Sequence, residues 1–69
     1  MKLPQISGKD VIKKLCKTGF IIMRQKGSHV RLEKGMIKIT VPLHSKLKKG
    51  TLYHVLKEAE ISLEEFENI

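Results

Sequence analysis

The sequence predicts a small α+β domain with the element order α-β-β-β-α. Three observations predict this class: a helical stripe of apolar residues near the start, short β-branched runs between glycine-containing turns, and a second helical stripe after residue 50. The chain has 69 residues. A chain of this length forms one domain with a small core, so residues 1–69 are assigned to a single domain.

The first helix is expected from about residue 8 to residue 18. Ser7 provides a capping hydroxyl three residues before Asp10, and Gly19 allows the left-handed turn that ends a helix. The apolar stripe consists of Val11, Ile12, Leu15 and Cys16. Because Cys16 lies on this stripe, we expect it to be a small buried hydrophobic residue and not a nucleophile.

Three antiparallel strands are expected over residues 20–26, 29–33 and 36–41, with turns at Gly27-Ser28 and Lys34-Gly35. Side chains alternate between the two faces of a strand. The alternation predicts a core face formed by Val30, Leu32, Ile37, Ile39 and Val41. On the opposite face it predicts His29, Arg31, Glu33, Lys38 and Thr40. The first strand begins with an unbroken apolar run, so its faces stay unassigned.

Pro42 is expected to end the sheet and to lead into a basic loop over residues 43–49. A second helix then begins near Gly50-Thr51, and its stripe of Leu52, Val55, Leu56 and Ala59 packs on the same face of the sheet as the first helix. Ser62 and Glu65 form a second capping box, which predicts a short terminal helix whose Leu63 and Phe66 close the core. This order of elements is the topology of double-stranded-RNA-binding domains.

The charge of the chain is strongly uneven. The formal net charge is +7, but residues 1–57 carry all 14 basic residues and two acids, whereas residues 58–69 carry five acids and no base. Such a basic body favours a polyanionic partner such as nucleic acid. Charge alone does not exclude an ordinary solvated surface. The lysines of the first helix could likewise bind a phosphate backbone or simply form a solvated face.

Several classes of protein and site are disfavoured by the sequence. The single cysteine cannot form an internal disulfide, and neither a CxxC nor an HxxxH pair is present, so we expect no metal site and no cofactor. The first residues lack the apolar stretch of a signal peptide, and no apolar run is long enough for a membrane segment. A cytoplasmic location is therefore expected.

His29 is the strongest catalytic candidate. Its predicted face also carries Arg31 and Lys38, so the imidazole is expected on a cationic surface. Histidine titrates near neutral pH and can take or give a proton, which suits cleavage of RNA by attack of the 2′-hydroxyl on the adjacent phosphorus without a metal. His44 is either a second acid or phosphate contact, or a plain turn residue. His54 is expected to be solvated on the second helix.

Several short motifs together resemble the HicA (YcfA-like) mRNA interferase toxins. They run in order from about Leu3 to Phe66: Leu3-Pro4, Ser7-Gly8, Gly19-Phe20, Lys26-Gly27-Ser28-His29, Val41-Pro42 with His44, Lys49-Gly50-Thr51-Leu52, and Ile61-Ser62 with Glu64 and Phe66. The combination of the Gly-Ser-His turn, the Val-Pro-x-His segment and Gly-Thr-Leu is the most specific part. One departure is Glu60, where the family usually has glycine after the second helix.

The resemblance implies a toxin of a type II toxin–antitoxin system, with a double-stranded-RNA-binding-domain-like fold and ribosome-independent cleavage of mRNA. It implies His29 as the catalytic residue and a HicB-type antitoxin as the partner that covers it. We also expect the free protein to be a monomer. From the residues we expect the RNA backbone to be held by Lys26, Ser28, Arg31, Lys38, His44, Lys46, Lys48 and Lys49. The alternatives are a non-catalytic RNA-binding module of the same fold, and a structural or DNA-binding protein.

Overall fold

The computed structural model describes residues 5–69 and has the predicted order of elements. Leu3-Pro4, the first motif of the resemblance, lies outside the described residues. The elements are α1 (Gly8–Lys17), β1 (Ile21–Lys26), β2 (His29–Lys34), β3 (Ile37–Pro42), α2 (Lys49–Glu58) and α3 (Leu63–Glu67). The α-β-β-β-α arrangement with a short terminal helix is confirmed. None of the helices within residues 5–69 is long and apolar enough to span a membrane.

Helix α1 begins and ends as predicted. The Ser7 hydroxyl accepts a hydrogen bond from the Asp10 backbone N–H at 3.1 Å, and Gly19 adopts a φ of 108° just after the helix. The Phe20 N–H then donates to the Leu15 carbonyl at 3.3 Å, which completes the glycine-based helix stop.

The burial predicted for Cys16 is wrong, because its side chain is exposed. Val11, Ile12 and Leu15 are buried. At about 100° per residue, they span an arc of about 100° around the helix axis, and Cys16 lies about 40° beyond the Ile12 end of that arc. The stripe is therefore narrower than the one drawn from the sequence.

The sheet has the order β1-β2-β3, with both pairs of strands antiparallel. The turns are Gly27-Ser28 and Gly35-Met36, so the second turn was predicted one residue too early. In the first turn only Gly27 has a positive φ, 60°, which is the pattern of the tight turns that suit twisted hairpins. Pro42 is the last residue of β3 and not the residue after it; an edge strand tolerates a proline there.

The faces predicted for β2 and β3 are confirmed. Val30, Leu32, Ile39 and Val41 are buried at 3% exposure or less. They pack in one cluster with the apolar residues of both long helices and with Phe66 of α3, which is fully buried. His29, Thr40 and Lys38 are exposed, and Arg31 and Glu33 are half-buried. The helices therefore cover one face of the sheet and leave the other to solvent.

The start of α1 is joined to the end of β3 through backbone contacts. The Gly8 N–H donates to the His44 carbonyl at 2.9 Å, and the Leu43 N–H donates to the Ser28 carbonyl at 2.6 Å. A Cβ atom on Gly8 would collide with the Pro42 carbonyl group, so only glycine fits at this crossing. These contacts fix the loop after β3 beside the turn that precedes His29.

Helix α2 ends in the same type of stop as α1, but with a glutamate in the left-handed position. Glu60 has a φ of 58°, the only positive φ of a non-glycine residue within residues 5–69. Its N–H donates to the Lys57 carbonyl at 3.1 Å, and the Ile61 N–H donates to the Leu56 carbonyl at 3.0 Å. The departure noted in the sequence thus falls where a glycine would be unstrained.

Candidate active site

His29 lies on the solvent side of the central strand, at the end of the sheet. It is the first residue of β2, it pairs with Lys26 of β1 and with Pro42 of β3, and its side chain is exposed. Residues paired directly across antiparallel strands share a face. The imidazole therefore lies on the outer face and outside the apolar core, as the alternation predicted.

An irregularity in β1 decides which of its side chains join His29. Ile22 pairs with Leu32, but the next pair is Arg24 with Arg31, so the register shifts by one residue at Met23. Such a bulge adds one residue to one strand and changes the face of everything after it. Without it Arg24 would share the core face with Ile22; with it, Arg24 and Lys26 lie on the outer face.

Side chains of all three strands line an open cavity of about 120 Å³ beside His29. Its lining consists of Arg24, Lys26, His29, Arg31 and Thr40. Three of these five side chains are basic, one is the imidazole and one carries a hydroxyl, whereas no carboxylate lines the cavity. The arrangement is complementary to a small anion held against the imidazole.

Arg31 is the half-buried cation of this cavity. The nearest acidic group is Glu33, whose Oε2 lies 3.8 Å from the Arg31 Nε, with both side chains partly exposed. This separation is too long for a hydrogen bond, and the Nε atom is buried with no hydrogen-bond partner among the described residues. A buried donor without a partner is costly, so an acceptor that reached this atom would be stabilised by it.

The predicted RNA contacts fall into two groups. Lys26 and Arg31 line the cavity, and Ser28 lies in the adjoining turn. Lys38 shares the outer face but pairs with Glu33, four residues along the strand from the His29 pair, or about 13 Å. The remaining residues lie outside the cavity lining, exposed in the loop after β3 and at the start of α2: His44, Lys46, Lys48 and Lys49.

Arg24 is the site residue that sequence reasoning missed. Its neighbours Ile21, Ile22 and Met23 are apolar, and no period-two pattern assigns a face to the strand. A bulge has no reliable signal in a single sequence, so alternation could not have found this residue. Thr40, by contrast, was predicted on the correct face.

Other parts of the described structure offer less chemistry. His54 is exposed on α2, contacts Glu58 one turn later and does not line the cavity beside His29. A larger cavity of about 590 Å³ contains no histidine and mixes both charges; its lining includes Lys34, Glu60 and Glu65. Within residues 5–69, no group of three or more histidine, cysteine or acidic side chains is arranged to hold a metal ion.

The fold is a basic α+β domain with one histidine among cations on the open face of its sheet. Such a surface is suited to a polyanionic ligand. Residues 8–61 match the family model described as HicA toxin of bacterial toxin-antitoxin, which covers most of the chain. The protein belongs to this HicA toxin family, and the resemblance found in the motifs is confirmed. No curated protein matches the chain.

Proposed function

We propose that this toxin is a metal-independent endoribonuclease that cleaves mRNA, with His29 as its general acid–base group. The observation that carries the proposal is the cavity on the outer face, in which the exposed imidazole lies among Arg24, Lys26 and Arg31. RNA supplies both a phosphate for the cations and, one bond away, a 2′-hydroxyl for the imidazole. DNA lacks that hydroxyl.

The reaction requires few groups. The imidazole of His29 takes the proton of the 2′-hydroxyl, and the 2′-oxygen forms a bond to the adjacent phosphorus. The bond from phosphorus to the 5′-oxygen breaks, and that oxygen leaves with a proton from an acid. The products are a 2′,3′-cyclic phosphate and a free 5′-hydroxyl. One well-positioned acid–base group contributes about 10²- to 10⁴-fold in rate, enough for a slow nuclease in a very small fold.

The cations stabilise the charge that builds up on the phosphoryl oxygens during the attack. Lys26 and Arg31 are close enough to the imidazole to share one phosphate with it, since all three line one cavity. We assign Ser28, Lys38, His44, Lys46, Lys48 and Lys49 to flanking nucleotides, because these residues surround the cavity or extend the basic surface.

A HicB-type antitoxin would silence such a nuclease most simply by covering the outer face of the sheet. The face is open and cationic, so an acidic or inserted segment of the partner is the complementary structure. We propose that the free toxin is a monomer, and that the complex buries His29 and lacks nuclease activity.

The test is cleavage of a single-stranded RNA by the purified protein in excess chelator. His29→Ala is expected to lose at least about 100-fold in rate while RNA affinity changes little, because the imidazole is one proton-transfer group among several backbone contacts. His54→Ala is the matched control, since His54 is exposed on α2, outside the cavity. The wild-type products should carry cyclic phosphate ends.

Two outcomes would contradict the proposal. Unchanged cleavage by His29→Ala would remove the histidine from the mechanism. RNA binding without any cleavage by the wild-type protein, and without slowed growth on expression, would identify a non-catalytic binding module instead.

A further inference from the structure

We propose that the cavity beside His29 is a single-phosphate subsite, and that Arg24, turned outward by the bulge at Met23, is its second arginine. The inference rests on the proposed nuclease function and goes beyond it by naming the phosphate-binding residue and the backbone feature that positions it. The ligand class is a phosphodiester of single-stranded RNA.

The size of the cavity limits what can enter it. A volume of about 120 Å³ is well below the 300–1,000 Å³ of sites that enclose a whole small molecule. The cavity therefore fits one phosphate group, with the ribose and base outside on the open sheet. A phosphate here would be in contact with the imidazole, because His29 is part of the same lining.

The charge of the cavity also favours an anion. Arg24 and Arg31 are paired directly across β1 and β2, which brings two guanidinium side chains together on one face. Like charges directly opposite each other destabilise a sheet. Glu33 offsets this only in part: it contacts Arg31 at 3.8 Å and does not line the cavity. A phosphate between the two arginines would relieve the repulsion.

The geometry of arginine matches this ligand. A guanidinium presents several N–H donors in a fixed plane and binds phosphate through two parallel hydrogen bonds. The Nε donor of Arg31 is buried without a partner among the described residues. Two arginines from adjacent strands can thus hold the two non-bridging oxygens, while Lys26, paired with His29, adds charge.

The bulge makes this arrangement possible. Met23 is the residue at which the register shifts. Only the shift allows Ile22, which is about half exposed, to lie on the helix-covered side of the sheet while Arg24 lies on the side of the cavity. Bulges of this kind are common beside active sites, where they redirect a side chain.

The first measurement is binding of a short 2′-O-methyl RNA oligonucleotide, whose blocked 2′-oxygen prevents cleavage. We expect Arg24→Gln to weaken binding about 10-fold or more. Because the variant contacts one phosphate fewer, the slope of log affinity against log salt should become shallower by ~0.7. Lys57→Gln, which removes one exposed cation from α2, is the matched control. It should change the affinity by no more than about twofold and leave the slope of log affinity against log salt unchanged.

The second measurement is cleavage of unmodified RNA at saturating concentration. Arg24→Gln should lower kcat about 100-fold, as the loss of a donor to a developing oxyanion does, whereas Arg24→Lys should recover affinity better than kcat. Circular dichroism on each variant separates these effects from unfolding; Arg24 is exposed, so folding should be retained.

The outcomes separate this inference from the proposed function. If His29→Ala loses cleavage but Arg24→Gln matches Lys57→Gln in both assays, the arginine subsite is wrong and the nuclease stands. If neither His29→Ala nor Arg24→Gln alters cleavage, both proposals are wrong.

Discussion

The crossing of α1 over the end of β3 makes a strong prediction about Gly8. A Cβ atom at this position would overlap the Pro42 carbonyl oxygen and lie 2.9 Å from the Pro42 carbonyl carbon and 3.1 Å from the Leu43 Cα. All three are backbone atoms, which cannot rotate away as a flexible side chain can. Gly8→Ala must therefore push the helix away from the strand.

The size of the effect follows from two contributions. Overpacking of a well-packed interior costs about 1–3 kcal/mol, and weakening the hydrogen bond from the Gly8 N–H to the His44 carbonyl costs about 1 kcal/mol more. We expect a loss of about 2–4 kcal/mol in the free energy of unfolding. The whole domain has only about 3–10 kcal/mol, judged from its 69 residues, so the loss is a large part of the total.

The assay is urea unfolding followed by circular dichroism, with a thermal scan as a check. A loss of this size lowers the melting temperature of so small a domain by roughly 10–30 °C. The control is Gly50→Ala: this glycine is also in the first turn of a helix, but its Cβ would meet nothing within 4 Å. The control should gain about 0.5–1 kcal/mol. A Gly8→Ala variant within 0.5 kcal/mol of wild type would falsify the close-contact argument.

Two further predictions concern the C-terminal part of the fold. Glu60→Gly should raise the free energy of unfolding by about 0.5–1 kcal/mol in the same urea assay, because glycine adopts the left-handed conformation of this position without strain. A lower free energy of unfolding in this variant would show that Glu60 is not strained. Phe66→Ala should lower the free energy of unfolding by about 3–5 kcal/mol, since the ring is fully buried beneath the Lys14 ammonium. A loss below 1 kcal/mol would mean that α3 is not part of the core.

Most of the fold was predictable because its signals are local. Ser7 and Ser62 both cap helices, as their spacing from Asp10 and Glu65 indicates, and period-two alternation assigned residues 29–33 of β2 to the correct face. The Gly-Ser turn before His29 fixed the register of the first hairpin. These patterns depend on neighbours in sequence, which a single chain provides.

The rest depended on contacts that a linear pattern does not carry. The faces of β1 depend on a bulge that becomes visible only in the pairing with β2, so the sequence did not identify Arg24 as a site residue. Arg24 nevertheless lines the same cavity as His29 and contributes one of its cations. Cys16 was misjudged because the width of the buried stripe on α1 is set by how that helix lies on the sheet. The second turn was misplaced because Gly35 is the first residue of its turn and not the last.

The bulge in β1 has a second consequence, for solubility. β1 is an edge strand, and its Ile21, Ile22 and Met23 are more than half exposed. An exposed apolar edge strand can form backbone hydrogen bonds with a strand of another chain. A regular ladder of amides would serve as a template for such growth, whereas the extra residue puts the donors and acceptors out of step with any straight incoming strand. The same bulge that places Arg24 on the outer face is therefore expected to disfavour self-association through this exposed edge strand.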